Sequence, residues 1–68
     1  MMDIEEKMII NKLIRSYNGD NYWLVEFKKK LKSKYTDKIM YKNKYVKVLS
    51  DKQYDIVRDI IGDNEKSI

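Results

Sequence analysis

Lys38-Ile39-Met40-Tyr41-Lys42-Asn43-Lys44-Tyr45-Val46-Lys47-Val48 is the stretch on which the fold class turns. Apolar residues recur at helical spacing on both sides of it. Within it that period disappears, and β-branched and aromatic residues flank the polar Lys42-Asn43-Lys44. This pattern predicts a β-hairpin. A two-residue turn at Asn43-Lys44 groups Ile39, Tyr41, Val46 and Val48 on one face against Met40, Lys42, Tyr45 and Lys47. A three-residue loop groups Ile39, Tyr41, Tyr45 and Lys47 against Met40, Val46 and Val48. A slip of one residue exchanges the faces. The first register separates apolar from polar residues more cleanly and is the one expected. Either register turns Val46 and Val48 inward and Tyr45 and Lys47 outward. A lone hairpin is marginal in water, so this one has to lie on the flanking helices.

Downstream, Leu49-Ser50-Asp51-Lys52-Gln53-Tyr54 opens a helix. Ser50 is an N-cap with Gln53 three residues later, and Leu49 and Tyr54 are placed for a hydrophobic staple. Tyr54, Ile56, Val57, Ile60 and Ile61 form its apolar face. Gly62 is the expected stop, and residues 63–68 are expected as a frayed tail. Upstream, Trp23, Leu24, Phe27, Leu31 and Tyr35 mark one face of a helix from about Asn21 to Lys34, with Lys28, Lys29 and Lys32 pointing away. Ile9, Ile10, Leu13, Ile14 and Tyr17 mark a helix over 3–17, with Asp3, Glu5 and Glu6 in its first turn. Asn18-Gly19-Asp20 separates the two: Gly19 suits a left-handed C-cap, and Asp20 or Asn21 an N-cap. The expected fold is α+β and mostly helical, one domain over 1–62 in the order helix-helix-β-hairpin-helix. Its expected core is Ile9, Leu13, Ile14, Trp23, Leu24, Phe27, Leu31, Val46, Val48, Val57, Ile60 and Ile61.

The chain has 68 residues, and a single small domain of that size buries only about 60% of its unfolded surface. An enclosed substrate cavity would remove core that it needs. It has no Cys and no His, which takes away disulfides, Cys-based metal sites and the commonest general base. Its serines have no His to activate them, and no Gly-rich phosphate loop is present. Pairs such as Asp51/Asp55 and Asp55/Asp59 lie opposite the apolar face of their helix, in water. A non-enzymatic protein without a cofactor is expected. The longest apolar run, Tyr22-Trp23-Leu24-Val25, is far short of a membrane span, and the acidic Met1–Glu6 segment lacks a signal-peptide core. The expected location is the cytoplasm. Abundant Lys, Ile, Asn and Tyr, with no Ala at all, is what an AT-rich genome would encode.

Charge is unevenly placed. Residues 1–20 carry a net −1 and residues 50–68 a net −2, whereas residues 21–49 carry nine Lys against Glu26 and Asp37. Interleaved with Tyr35, Tyr41 and Tyr45, this basic middle is the mixture that single-stranded nucleic acid binding uses: Lys on phosphates, aromatic rings on bases. The alternative is that Lys is the ordinary surface residue of such a genome and Tyr fills the core. The expected nucleic-acid surface is Lys28, Lys29, Lys32, Lys42, Lys44, Tyr45 and Lys47. With Arg15 and Arg58 the only arginines, bidentate reading of guanine edges is not expected, which favours sequence-tolerant binding. A phage-type inhibitor acting on a host or effector protein, an anti-CRISPR or host-replication inhibitor for instance, is the alternative. Trp23 or the tyrosines would anchor that interface. A homodimer is compatible with both. The acidic stripe Asp51, Asp55, Asp59 and Asp63 reads as a solvated face, with mimicry of a phosphate row as its functional alternative.

Phe27 and Leu31 on a basic helix, followed by Leu49-Ser50-Asp51-Lys52-Gln53 opening another, resemble a pattern of small phage and mobile-element proteins. In these an aromatic-and-Leu helix precedes a helix starting Leu-Ser/Thr-x-Lys-Gln. The resemblance covers roughly residues 23–61. It implies a phage or mobile-element origin and a role beside DNA replication or recombination, with a short polar loop where this chain has its 38–48 hairpin.

Overall fold

Asp3 accepts the amide of Glu6 at 2.9 Å and so caps the first helix, α1, which spans Ile4–Ser16. Asn21 does the same for Leu24 at 3.2 Å, opening α2 over Tyr22–Lys32. Strands β1, Lys38–Tyr41, and β2, Lys44–Lys47, follow as an antiparallel pair, and α3 runs Asp51–Lys66. The computed structural model describes residues 2–66, the last four through their backbone. The fold is α+β in the order helix-helix-hairpin-helix. Among the described residues, no helix is long and apolar enough to cross a membrane.

The capping box at α3 forms reciprocally. Gln53 accepts the Ser50 amide at 3.0 Å, and the Ser50 hydroxyl accepts the Gln53 amide at 3.3 Å. Leu49 and Tyr54 are both buried across this start. The helix does not stop at Gly62: it continues to Lys66, because Gly62 lies in ordinary rather than left-handed backbone. Residues 63–66 of the expected tail are therefore helical, and 67 and 68 lie outside the described residues.

Gly19 also has a different reason from the one expected. Its backbone is not left-handed either. A Cβ there would sit 2.6 Å from Cζ of Tyr17, whose hydroxyl folds back to accept the Asn21 amide at 2.8 Å. The glycine makes room for that ring.

The three helices pack on one another around Ile10, Ile14, Leu24, Phe27, Leu31, Leu49, Tyr54 and Val57. Three expected core residues, Ile9, Leu13 and Trp23, are half exposed or more, and Val46, Ile60 and Ile61 are only partly buried. The shift on α1 has a polar cause. Asn11, 1% exposed, donates to the Lys47 carbonyl at 2.7 Å and accepts the Tyr54 hydroxyl at 2.7 Å. The Tyr54 hydroxyl in turn accepts the Leu49 amide at 3.0 Å. With every polar atom satisfied, Asn11 can face inward. This rotates α1 so that Ile9 and Leu13 turn out.

The hairpin pairs Lys38 with Lys47, Ile39 with Val46, Met40 with Tyr45 and Tyr41 with Lys44. This is neither expected register. The turn is Lys42-Asn43, with φ of 48° and 65°, the positive values that a type I′ turn requires at both central residues. Ile39, Tyr41, Lys44 and Val46 share one face, and Lys38, Met40, Tyr45 and Lys47 the other. Ile39 and Met40 both stay exposed, so burial does not discriminate strongly between the faces, and turn geometry sets the register.

Candidate functional site

The hairpin stands against α1 through two hydrogen bonds, Asn11 to the Lys47 carbonyl and the Tyr41 hydroxyl to Glu5 Oε1, each 2.7 Å. Between these anchors the surfaces part into adjoining clefts. The first, 380 Å³, follows the edge of β2 that faces α1. Residues of both hairpin faces reach it because it lies along an edge rather than over a face. Lys12 and Arg15, at i and i+3 on α1, line one wall. Lys44 and Lys47 line the other, with Met8, Asn11, Tyr45 and Val46 completing it. Four basic residues line it and, among the described residues, no acidic one does. The second cleft, 510 Å³, shares Met8, Lys12 and Lys44 and adds Ile9, Tyr41, Lys42 and Glu5.

Among the described residues, Lys12, Arg15, Lys42 and Lys44 make no ion pair. Lys47 reaches across to donate to the Ser33 carbonyl at 3.1 Å, satisfying the C-terminus of α2. Glu5, the one acid lining either cleft among the described residues, accepts from the Tyr41 hydroxyl, and that hydrogen bond to a carboxylate raises the phenol above its ordinary value. Lys42 stands 5.3 Å from the centre of the Tyr41 ring. Tyr45 is 70% exposed at the rim of the first cleft, a flat surface with no partner ring among the described residues. The arrangement can take up a chain of anions and stack a planar group.

The seven residues expected from the sequence divide into two sets. Lys42, Lys44, Tyr45 and Lys47 come together at the clefts. Lys28, Lys29 and Lys32 on α2 line neither. Lys28 donates to the Tyr17 carbonyl at 2.8 Å and so caps the C-terminus of α1, Lys29 lies 3.7 Å from Glu26, and Lys32 is exposed on its helix. Lys12 and Arg15 were not expected, since they belong to a segment of net negative charge. Their i, i+3 spacing opposite Ile10 and Ile14 was the available signal. In the acidic stripe, Asp51 is engaged by Lys7 at 2.9 Å, which holds its carboxyl below the usual value, while Asp55 and Asp59 are exposed. The side chain of Asp63 lies outside the described residues. No group of three acidic, Cys or His side chains suited to a metal occurs among the described residues.

Compared with protein-family models, curated proteins and solved structures, the chain matches none.

Proposed function

We propose that this is a small non-enzymatic accessory protein of a phage or mobile element. It acts in the cytoplasm and holds single-stranded nucleic acid, with little sequence preference, along the cleft between α1 and β2. One observation carries the reading: Lys12, Arg15, Lys44 and Lys47 line a cleft in which, among the described residues, no carboxylate takes part, with Tyr45 open at its rim. Phosphates supply the affinity, and the exposed ring adds roughly 1–3 kcal/mol per stacked base.

Titration of a labelled single-stranded oligonucleotide at several salt concentrations tests it. Four to five phosphate contacts predict a log–log slope near −3, taking about 0.7 per contact. Replacing Lys12, Arg15 and Lys44 by Gln is expected to reduce that slope by about 2. The corresponding Lys28, Lys29 and Lys32 variant keeps it, because those side chains lie outside the cleft. Tyr45→Ala weakens binding with the slope unchanged. Binding weaker than about 1 mM at low salt, where basic surfaces bind best, overturns the proposal.

A second observation supports the protein-inhibitor alternative. Tyr22 and Trp23 are exposed in edge-to-face contact, with centroids 5.6 Å apart, on a part of α2 that lines neither cleft. Exposed aromatic pairs are the usual anchors of protein interfaces. An inhibitor of this kind would show no affinity for the oligonucleotide and would lose its protein partner on Trp23→Ala.

A further inference from the structure

A two-stranded sheet has two edges, and here they differ. The Val48 amide donates to the Asp37 carbonyl at 2.9 Å, which extends the ladder by one pair. In an antiparallel ladder hydrogen-bonded pairs alternate with non-bonded ones. Ile39/Val46 and Tyr41/Lys44 are therefore bonded pairs, whereas Lys38, Met40, Tyr45 and Lys47 turn their backbone groups outward. The outward carbonyl of Lys47 is taken by Asn11, and α1 lines that edge. Among the described residues, nothing bonds to the outward backbone groups of the β1 edge. Its Lys38 and Met40 amides and carbonyls face solvent, beside Ile39 and Met40 side chains that are 41% and 57% exposed.

We infer that β1 is a self-association edge. A second copy of the chain lays its own β1 antiparallel against it, across a two-fold axis through Ile39, joining the two hairpins into one continuous sheet. The edge is its own complement, since outward donors and acceptors on one copy meet the same set on the other. Charge selects the register. An axis through Lys38 sets that residue against the partner's Lys38, and an axis through Met40 sets it against the partner's Lys42. Like charges directly opposite destabilise a pair. An axis through Ile39 instead places Lys38 against the partner's Met40, Ile39 against the partner's Ile39 and Asp37 against the partner's Tyr41. All the outward groups of Lys38 and Met40 then find partners. The hairpin is held to α1 by two side-chain hydrogen bonds, and joining two copies adds a four-stranded sheet to that support. The inference is independent of the nucleic-acid reading, because the cleft that carries that reading is lined by α1 and β2 and by no residue of β1.

The absence of Cys makes the test clean, since one introduced thiol reports only on its own position. Facing residues of a non-hydrogen-bonded pair lie about 4.5 Å apart at Cα, within disulfide reach. Residues offset by two lie about 7–8 Å apart, beyond it. Under mild oxidation I39C is expected to form covalent dimer at least about ten times faster than M40C or Y45C. Y45C controls for random collision because residue 45 is the more exposed. An interface this small is weak, so a second readout uses the unaltered chain at high concentration. Between roughly 20 μM and 1 mM, hydrogen exchange of the Met40 amide is expected to slow. Equal cross-linking of the three variants, or Met40 exchange that does not change with concentration, overturns the inference. The exchange measurement stands even if I39C fails to fold.

Discussion

Asn11 sits where three elements meet, and its amide is used on both sides: the nitrogen on the Lys47 carbonyl, the oxygen on the Tyr54 hydroxyl. Removing one member of such a network leaves the others buried without partners, which costs more than the hydrogen bond itself contributed. Tyr54→Phe is therefore expected to lower stability at neutral pH by about 1–3 kcal/mol, read as a fall in Tm. The same substitution has a pH signature. Burial pushes the Tyr54 phenol above its ordinary value of 10.0, partly opposed by the Leu49 amide and the Lys7 charge. A raised pKa in the folded state means that the contribution is complete below the unfolded value and is lost as pH rises through the folded one. The gap in Tm between the native chain and Tyr54→Phe should accordingly narrow above pH 10. A gap that stays constant into that range would show that the hydroxyl is not buried in this network.

At the scale of elements, α3 is held at its start by the Ser50–Gln53 box and along its length by Tyr54 and Val57. Gly62 is its weak point. The helix passes through it with ordinary backbone, and a Cβ there would meet nothing within 4 Å. Glycine inside a helix costs about 0.5–1 kcal/mol relative to alanine. Gly62→Ala is expected to stabilise the chain and raise Tm by roughly 2–8 °C in a thermal melt followed by circular dichroism. A fall in Tm would place the end of α3 at Gly62 after all. At Gly19 the same change runs into the Tyr17 ring. The two glycines look alike in the sequence and differ only in what lies beside them.

For the whole molecule, stability rests on one small helical core to which the hairpin adds a few hydrogen bonds. At about 0.05–0.15 kcal/mol per residue, a chain of 68 residues holds roughly 3–10 kcal/mol. Truncating a buried Phe costs about 3–5 kcal/mol. Phe27→Ala, which opens the contact among the three helices, is expected to abolish the cooperative thermal transition at neutral pH. Survival of that transition would show that the core tolerates the loss. The hairpin is the element least tied down, and both the cleft and the open β1 edge follow from that position.

Local rules determined the helices, the hairpin and the capping box, because caps, periodicity and turn residues act within a few positions of one another. The same rules marked Lys42, Lys44, Tyr45 and Lys47 as a charged and aromatic group, since these are close in the chain. Which face of α1 is buried, which register the hairpin takes and which cations share a cleft were decided only by tertiary structure. Asn11 turns inward because Tyr54, forty-three positions away, gives its oxygen a donor. Lys12 and Arg15 join the hairpin lysines because that same Asn11 holds the end of β2 beside α1. Contacts between residues so far apart depend on how whole elements dock, and no window of sequence contains both partners.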